Sequence, residues 1–517
     1  MKKLLIILIW WLPIAFAENL QFLGHDYESY YLPLIKPHNY SQLDIPQKYG
    51  QLYSESQVIT YSAGKLLRYY RNIICDGIYS HNCQRNLENL SNYAKLNLES
   101  PPDLFAANIE SVIGYKIEYS AIGADNQPHQ LSGAMLLPQP LSQLKGIILF
   151  YHYTILDKRN IPSRFNQDNF LLSPQLAAAL SSSGYLVLAP DYPGFGSDES
   201  NVHPYVNFPA ANALSGIYLL KAALQSPLIK PLLPITQSAG QNNSQLPLFI
   251  SGYSEGGSYA LWTTKFLQDN PNFLQQQNLY LAKSIPVVGA YNLSQVMYPF
   301  MFANINQDKT LPYNVNNYWI TAFAKPGFFA DSINGYLKYV GTESATSFYN
   351  SQFYDCTHCF HSNGTTTVAQ FMESVGINDG AMYGILVDQA KELDYGLSNN
   401  SVSLIAAPNL ESNLTFKQQF IAADIYNWYI KTPVTFLAFE YDSIVPTINS
   451  ETAFLATAAQ GSPGVKLLLI PNQDFMVPGI IPFSDMEVDH PYGIKFMLAF
   501  VRQEIESYQT AYIYHTQ

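Results

Sequence analysis

The sequence predicts an α/β protein with a mostly parallel central sheet and helices on both faces, and three observations carry that expectation. Short apolar runs at 146–151, 185–189, 246–251 and 285–289 alternate with helical patterns at 171–182, 208–224 and 256–267. Apolar strands of this length, separated by amphipathic helices, belong to parallel sheets covered on both sides. The pattern returns at 434–439 and 465–470 and closes with a helix from about 491 to 508. Between them, over 291–429, it disappears for an interval too long to be a structureless loop, which predicts an inserted lid or cap with helices of its own.

The elements before this core read differently. Lys2 and Lys3 precede an apolar run from Leu4 to Ile14 and then Ala15-Phe16-Ala17, the make-up of a secretory signal peptide over 1–17. The competing reading is an uncleaved anchor, but the run is shorter than the ~20 residues that span a bilayer. The mature chain is therefore expected to begin at Glu18 and to be exported, to the periplasm or beyond. Residues 18–105 form a Tyr-rich N-terminal extension with helix-like apolar spacing over 54–74. Two alternating segments, 112–119 and 130–137, flank Gly123-Ala-Asp-Asn-Gln-Pro128, which predicts a hairpin at an antiparallel edge. Residues 106–290 and 430–517 then make up the core domain.

Composition narrows the partners. The net charge of −12 becomes −14 once Lys2 and Lys3 leave, and Lys and Arg are scattered rather than clustered, which argues against nucleic acid. The four cysteines fall into two close pairs, Cys75 with Cys83 and Cys356 with Cys359. Local disulfides suit an oxidising compartment. Cys356-Thr-His-Cys359-Phe-His361 also has the spacing of a metal or redox site, although a fourth metal ligand is not obvious.

The chemistry is concentrated in Leu246-Pro-Leu-Phe-Ile-Ser-Gly-Tyr-Ser254-Glu-Gly-Gly, a strand running through Gly-x-Ser-x-Gly into a helix. On that sharp turn a serine hydroxyl is thrust out of the sheet, and Gly252 and Gly256 stand where a Cβ would clash. Ser254 is the candidate nucleophile. A serine needs a base, and the base a carboxylate that fixes its tautomer. The strand at 434–439 is followed by Glu440-Tyr-Asp442-Ser-Ile-Val-Pro446, and His490-Pro491 precede the last helix, with Pro491 suited to its first position. Asp442 is the candidate acid, with Glu440 as rival, and His490 the candidate base; the bland readings are a turn aspartate and a solvated loop histidine. The oxyanion donors are expected to be the Glu255 N–H and, from the loop after 146–151, the N–H of Tyr153 or Thr154. In Asp191-Tyr-Pro-Gly-Phe-Gly196, Asp191 is read as holding the turn rather than taking part in chemistry.

Taken together, Gly252-Tyr-Ser-Glu-Gly-Gly257, Asp191-Tyr-Pro-Gly-Phe-Gly196, Asp442 with Val445-Pro446, and His490 resemble the α/β-hydrolase superfamily, and within it exported lipases and esterases of the secretory-lipase type. The resemblance covers about 112–289 and 433–508. It implies Ser254 as nucleophile, Asp442 as acid, His490 as base, and chemistry without metal or organic cofactor. One departure concerns the loop that commonly reads His-Gly in the family: here Tyr153 follows His152, narrowing the space near the acyl carbonyl.

The expected function is that of a secreted serine carboxylester hydrolase acting through an acyl-enzyme on a small-molecule or lipid ester. Met297-Tyr-Pro-Phe-Met-Phe302 and Gly327-Phe-Phe329 are candidates for an acyl-binding lid that touches lipid interfaces transiently, or for plain packing within the insertion. The alternatives are a serine exopeptidase of the same fold and an inactive hydrolase-like binding protein.

Overall fold

The computed structural model describes residues 21–66, 109–155, 158–165, 173–233, 245–303, 318–341, 343–349, 406–470 and 490–516. Residues 1–17, read above as a signal peptide, and all four cysteines lie outside these residues. Strands β1 (Leu52–Ser62), β2 (Ser111–Ile122), β3 (Pro128–Gln139), β4 (Ile147–Tyr151), β5 (Leu186–Pro190), β6 (Leu246–Tyr253), β7 (Leu279–Val287), β8 (Val434–Phe439) and β9 (Val465–Ile470) form one sheet in the order β9-β8-β7-β6-β4-β5-β3-β2-β1. The helices used below are α1 (Ser173–Ser181), α2 (Pro209–Ala223), α3 (Glu255–Asp269), α4 (Tyr298–Phe302), α5 (Tyr318–Tyr339), α6 (Leu414–Ala422), α7 (Ile448–Ala459) and α8 (His490–Thr516).

From β5 through β4, β6, β7 and β8 to β9 every pairing is parallel, whereas β5–β3, β3–β2 and β2–β1 are antiparallel. All residues of β4, β5 and β8 are buried, as continuous apolar runs require when both faces are covered. Alternation along a strand assigns the faces. Leu149, Leu248, Ile250 and Phe436 pack with α2, α3 and α7. Ile148, Phe150, Phe249 and Leu437 pack with α1 and α8. The hairpin of β2 and β3 runs in unbroken register from Ser111↔Gln139 to Ile122↔Pro128.

One expectation is corrected at the N-terminal side. Where the spacing predicts helix over 54–74, residues 54–62 belong to the edge strand β1, paired to β2 with two register shifts, while 63–66 are helical and 67–74 lie outside the described residues. Val58, Ile59, Thr60 and Tyr61 favour a strand, and the long free edge of β2 offers hydrogen bonds that local helix spacing does not outweigh. The described residues ahead of β1 pack onto the α2/α3 face through Phe22, Tyr31, Ile45 and Tyr49.

Between β7 and β8, whose strands are neighbours, the described chain leaves the sheet and forms α4, α5 and α6 around a separate apolar cluster that includes Tyr298, Phe329, Ile333, Tyr336, Phe416 and Phe420. No described helix is long and apolar enough to cross a membrane.

Candidate active site

The chain leaves β3, skips a position to make β4, turns back to place β5 beside β3, and then crosses to the other side of β4 for β6. Such a reversal opens a crevice at the carboxyl ends of the two strands it separates. Tyr151 pairs with Gly252 there, so the loop after β4 and the turn after β6 meet.

That turn carries Ser254 with φ +58° and ψ −122°. A non-glycine residue at such angles is strained and persists only where its surroundings enforce it. The enforcement is visible: the Ser254 N–H donates to Val287 O at 3.0 Å, and the Gly257 N–H donates to Ser254 O at 2.8 Å. A Cβ on Gly252 would lie 2.1 Å from Gly256 O, and one on Gly256 2.2 Å from Tyr151 O. Both glycines are therefore required by backbone approach, as the motif predicts.

Asp442, fully buried after β8, accepts from the N–H groups of Ile444 (3.0 Å) and Val445 (2.7 Å) through Oδ1, and its Oδ2 lies 2.8 Å from His490 Nδ1. A carboxylate at Nδ1 leaves Nε2 as the basic nitrogen. Between the two acids considered, the contact with His490 belongs to Asp442; the Glu440 N–H instead bonds Ile470 O at 2.9 Å. His490 is the first residue of α8 rather than part of a loop before it. Its ring lies 5.2 Å from that of Tyr253, the neighbour of Ser254, and Tyr253 Oη donates to His490 O at 2.5 Å.

Glu255 opens α3, so its N–H is among those a helix leaves without an internal partner. Ser254, Glu255 and Thr154 line one cleft, with Tyr205, Met297, Phe300, Phe328, Phe420 and Val445 along its walls. Tyr153 is half-buried, packed against the clusters on the two sheet faces. The loop is fixed by His152, whose Nδ1–H donates to Tyr153 O at 2.6 Å while its ring stacks on Tyr192 at 3.9 Å. Burial pushes the His152 imidazole down to about 4, so it is neutral. Asp191 does not bond its own turn: its carboxylate accepts from Ser163 N–H (2.8 Å) and Ser132 Oγ (2.6 Å), while the turn's Gly194 N–H donates to Asp198 Oδ2 at 2.8 Å.

Two groups at the site have no signal in the sequence. His203, from the loop after β5, presents Nδ1 to Pro193 O at 2.9 Å and Nε2 to Glu255 Oε1 at 2.8 Å, and Tyr259 Oη donates to the same Glu255 oxygen at 2.5 Å. Burial alone would raise the Glu255 carboxyl; the facing His203 and these hydrogen bonds hold it below its ordinary value. Lys325, from α5, also lines the cleft. Met297, Phe300 and Met301 line it as well, whereas Phe329 is buried within the insertion's own cluster, so the two aromatic segments divide between lining and packing.

The sheet order, the strained serine between β6 and α3, and the acid and histidine after β8 and at α8 define the α/β-hydrolase fold. Among solved structures, a Legionella pneumophila protein with the provisional description of a hydrolase is similar, at TM-score 0.59 and 18% identity, with 89% of this chain and 98% of that chain covered. The rice cell wall degrading esterase LipA from Xanthomonas oryzae is similar at TM-score 0.58 and 18% identity, with 89% and 98% covered. No family model and no curated protein matches the sequence.

Proposed function

We propose that the protein is an exported serine carboxylester hydrolase. Ser254 Oγ attacks the ester carbonyl, His490 Nε2 takes its proton and returns it to the leaving alcohol, Asp442 holds the imidazole, and water then releases the acyl group from Ser254. The N–H groups of Glu255 and Thr154 are assigned to the oxyanion. The observation that carries this reading is the 2.8 Å contact of His490 Nδ1 with Asp442, made against Tyr253 at the root of the strained serine turn. The apolar walls of the cleft suit an acyl group, and the likeness to an esterase supports the same reaction class.

Labelling with a fluorophosphonate tests the nucleophile: the wild type is labelled and Ser254→Ala is not. Turnover of a short-chain p-nitrophenyl ester, with no turnover of an aminoacyl amide, separates this reading from an exopeptidase. Ser254→Ala and His490→Ala each abolish hydrolysis, and the double variant is no worse, because the groups act as a unit. Multiplicative losses would overturn the assignment.

A further inference from the structure

Lys325 stands out among the residues around the cleft. It lies on the face of α5 that also carries Phe328 and Ser332, three and seven residues on, and all three line the cleft that holds Ser254. The side chain is only 6% exposed. Its Nζ donates to Ala303 O at 3.1 Å and stands 4.4 Å from the centre of the Phe300 ring. An ammonium has three donors, and among the described residues no carboxylate stands within ion-pair distance of this one. Glu255, which lines the cleft, is committed to His203 and Tyr259, and Asp442 to His490. Burial correspondingly pushes the Lys325 amine down to about 7.

A buried amine whose charged form has no carboxylate partner among the described residues is costly to protonate, and a chain that needed only to fill this wall would do so with an apolar side chain. Apart from Thr154, Ser254, Glu255 and Ser332, the other side chains of the cleft wall are aromatic, aliphatic or methionine, so Lys325 is the one basic side chain among the described lining residues of a largely apolar cleft. We propose that Lys325 is a specificity residue that receives the carboxylate of a substrate bearing both an ester and a free carboxylate, with the ester at Ser254 and an aliphatic spacer along the apolar wall. A carboxylate matches one ammonium charge for charge, whereas a phosphate monoester carries nearly two charges and three acceptors and would need further donors.

The turnover part of the test rests on the ester-hydrolase reading; the binding part does not. In Ser254→Ala protein, calorimetry compares monomethyl glutarate with methyl valerate, which differ by a carboxylate in place of a methyl group. The expected result is ~10–100-fold tighter binding of the monoanion, the range of one charge-assisted hydrogen bond. Adding Lys325→Met removes that preference, and Lys325→Arg retains it. In protein with Ser254 intact, Lys325→Met lowers the ratio of kcat/KM for p-nitrophenyl hemiglutarate over p-nitrophenyl valerate by a similar factor. Thermal unfolding of Lys325→Met checks the fold, and the arginine variant keeps the charge should methionine disturb it. Equal binding of the two methyl esters, or a preference that survives Lys325→Met, overturns the proposal. A monoanion preference that depends on Lys325 in a protein that cleaves neither nitrophenyl ester would sustain it and overturn the ester-hydrolase reading instead.

Discussion

Glu255 opens α3 with a backbone N–H that has no partner within the helix, and its side chain is locked to His203 and Tyr259. Because Pro193 O can only accept, His203 Nδ1 donates to it, which leaves Nε2 facing Glu255 Oε1; burial alone would raise that carboxyl, but the facing His203 and the hydrogen bonds from His203 and Tyr259 hold it below its ordinary value. A carboxyl whose folded value is depressed stabilises the fold fully above its unfolded value, and that contribution is lost as pH falls through the folded value. Glu255→Gln should therefore unfold more easily at neutral pH by about 1–3 kcal/mol, with a shallower loss of stability on acidification than the wild type. Urea unfolding at stepped pH measures both, and parallel acid slopes would remove the depressed Glu255 carboxyl from the account. His203 and Lys325 were not legible as single letters. Their roles depend on which distant carboxylate or cavity the fold sets before them, whereas Ser254 announces itself through glycines that only a tight strand-to-helix turn requires.

The turn between β6 and α3 is the element on which the site depends most. Gly256→Ala would set a Cβ 2.2 Å from Tyr151 O and 2.4 Å from His152 O, backbone atoms of the fully covered β4 and its loop that cannot swing away. The helix must back off from the strand, so this one methyl should cost roughly 1–3 kcal/mol or more and misplace the Glu255 N–H as well. Lower thermal stability together with slower fluorophosphonate labelling is the expected outcome; normal labelling in a destabilised protein would separate packing from the site. The buried strands β4 to β8 and the β2–β3 hairpin were readable because apolar runs and strict alternation each admit one arrangement. Strand β1 was not, because its partner is an edge nearly fifty residues further along the chain, and local spacing carries no record of that pairing. The pairing of Asp442 with His490 was readable through their place in chain order after the motif serine, while the preference for Asp442 over Glu440 as its partner needed the geometry of the turn.

At the scale of the molecule, β7 and β8 lie side by side although α4, α5, α6 and their own cluster come between them in sequence. The serine belongs to the part before that excursion, the acid and the histidine to the part after it. Pairings between remote stretches of chain close large loops and form slowly, and chains of this size commonly pass through partly organised species. Ile444 and Val445, which follow the acid, also pack against or within the excursion's cluster, so the acid's loop is seated only when that cluster has formed. On dilution from denaturant, helix and strand content measured by circular dichroism should accordingly return ahead of reactivity toward a fluorophosphonate. During biogenesis this delay would leave the newly made chain chemically silent, competent to cut only after its last third has docked.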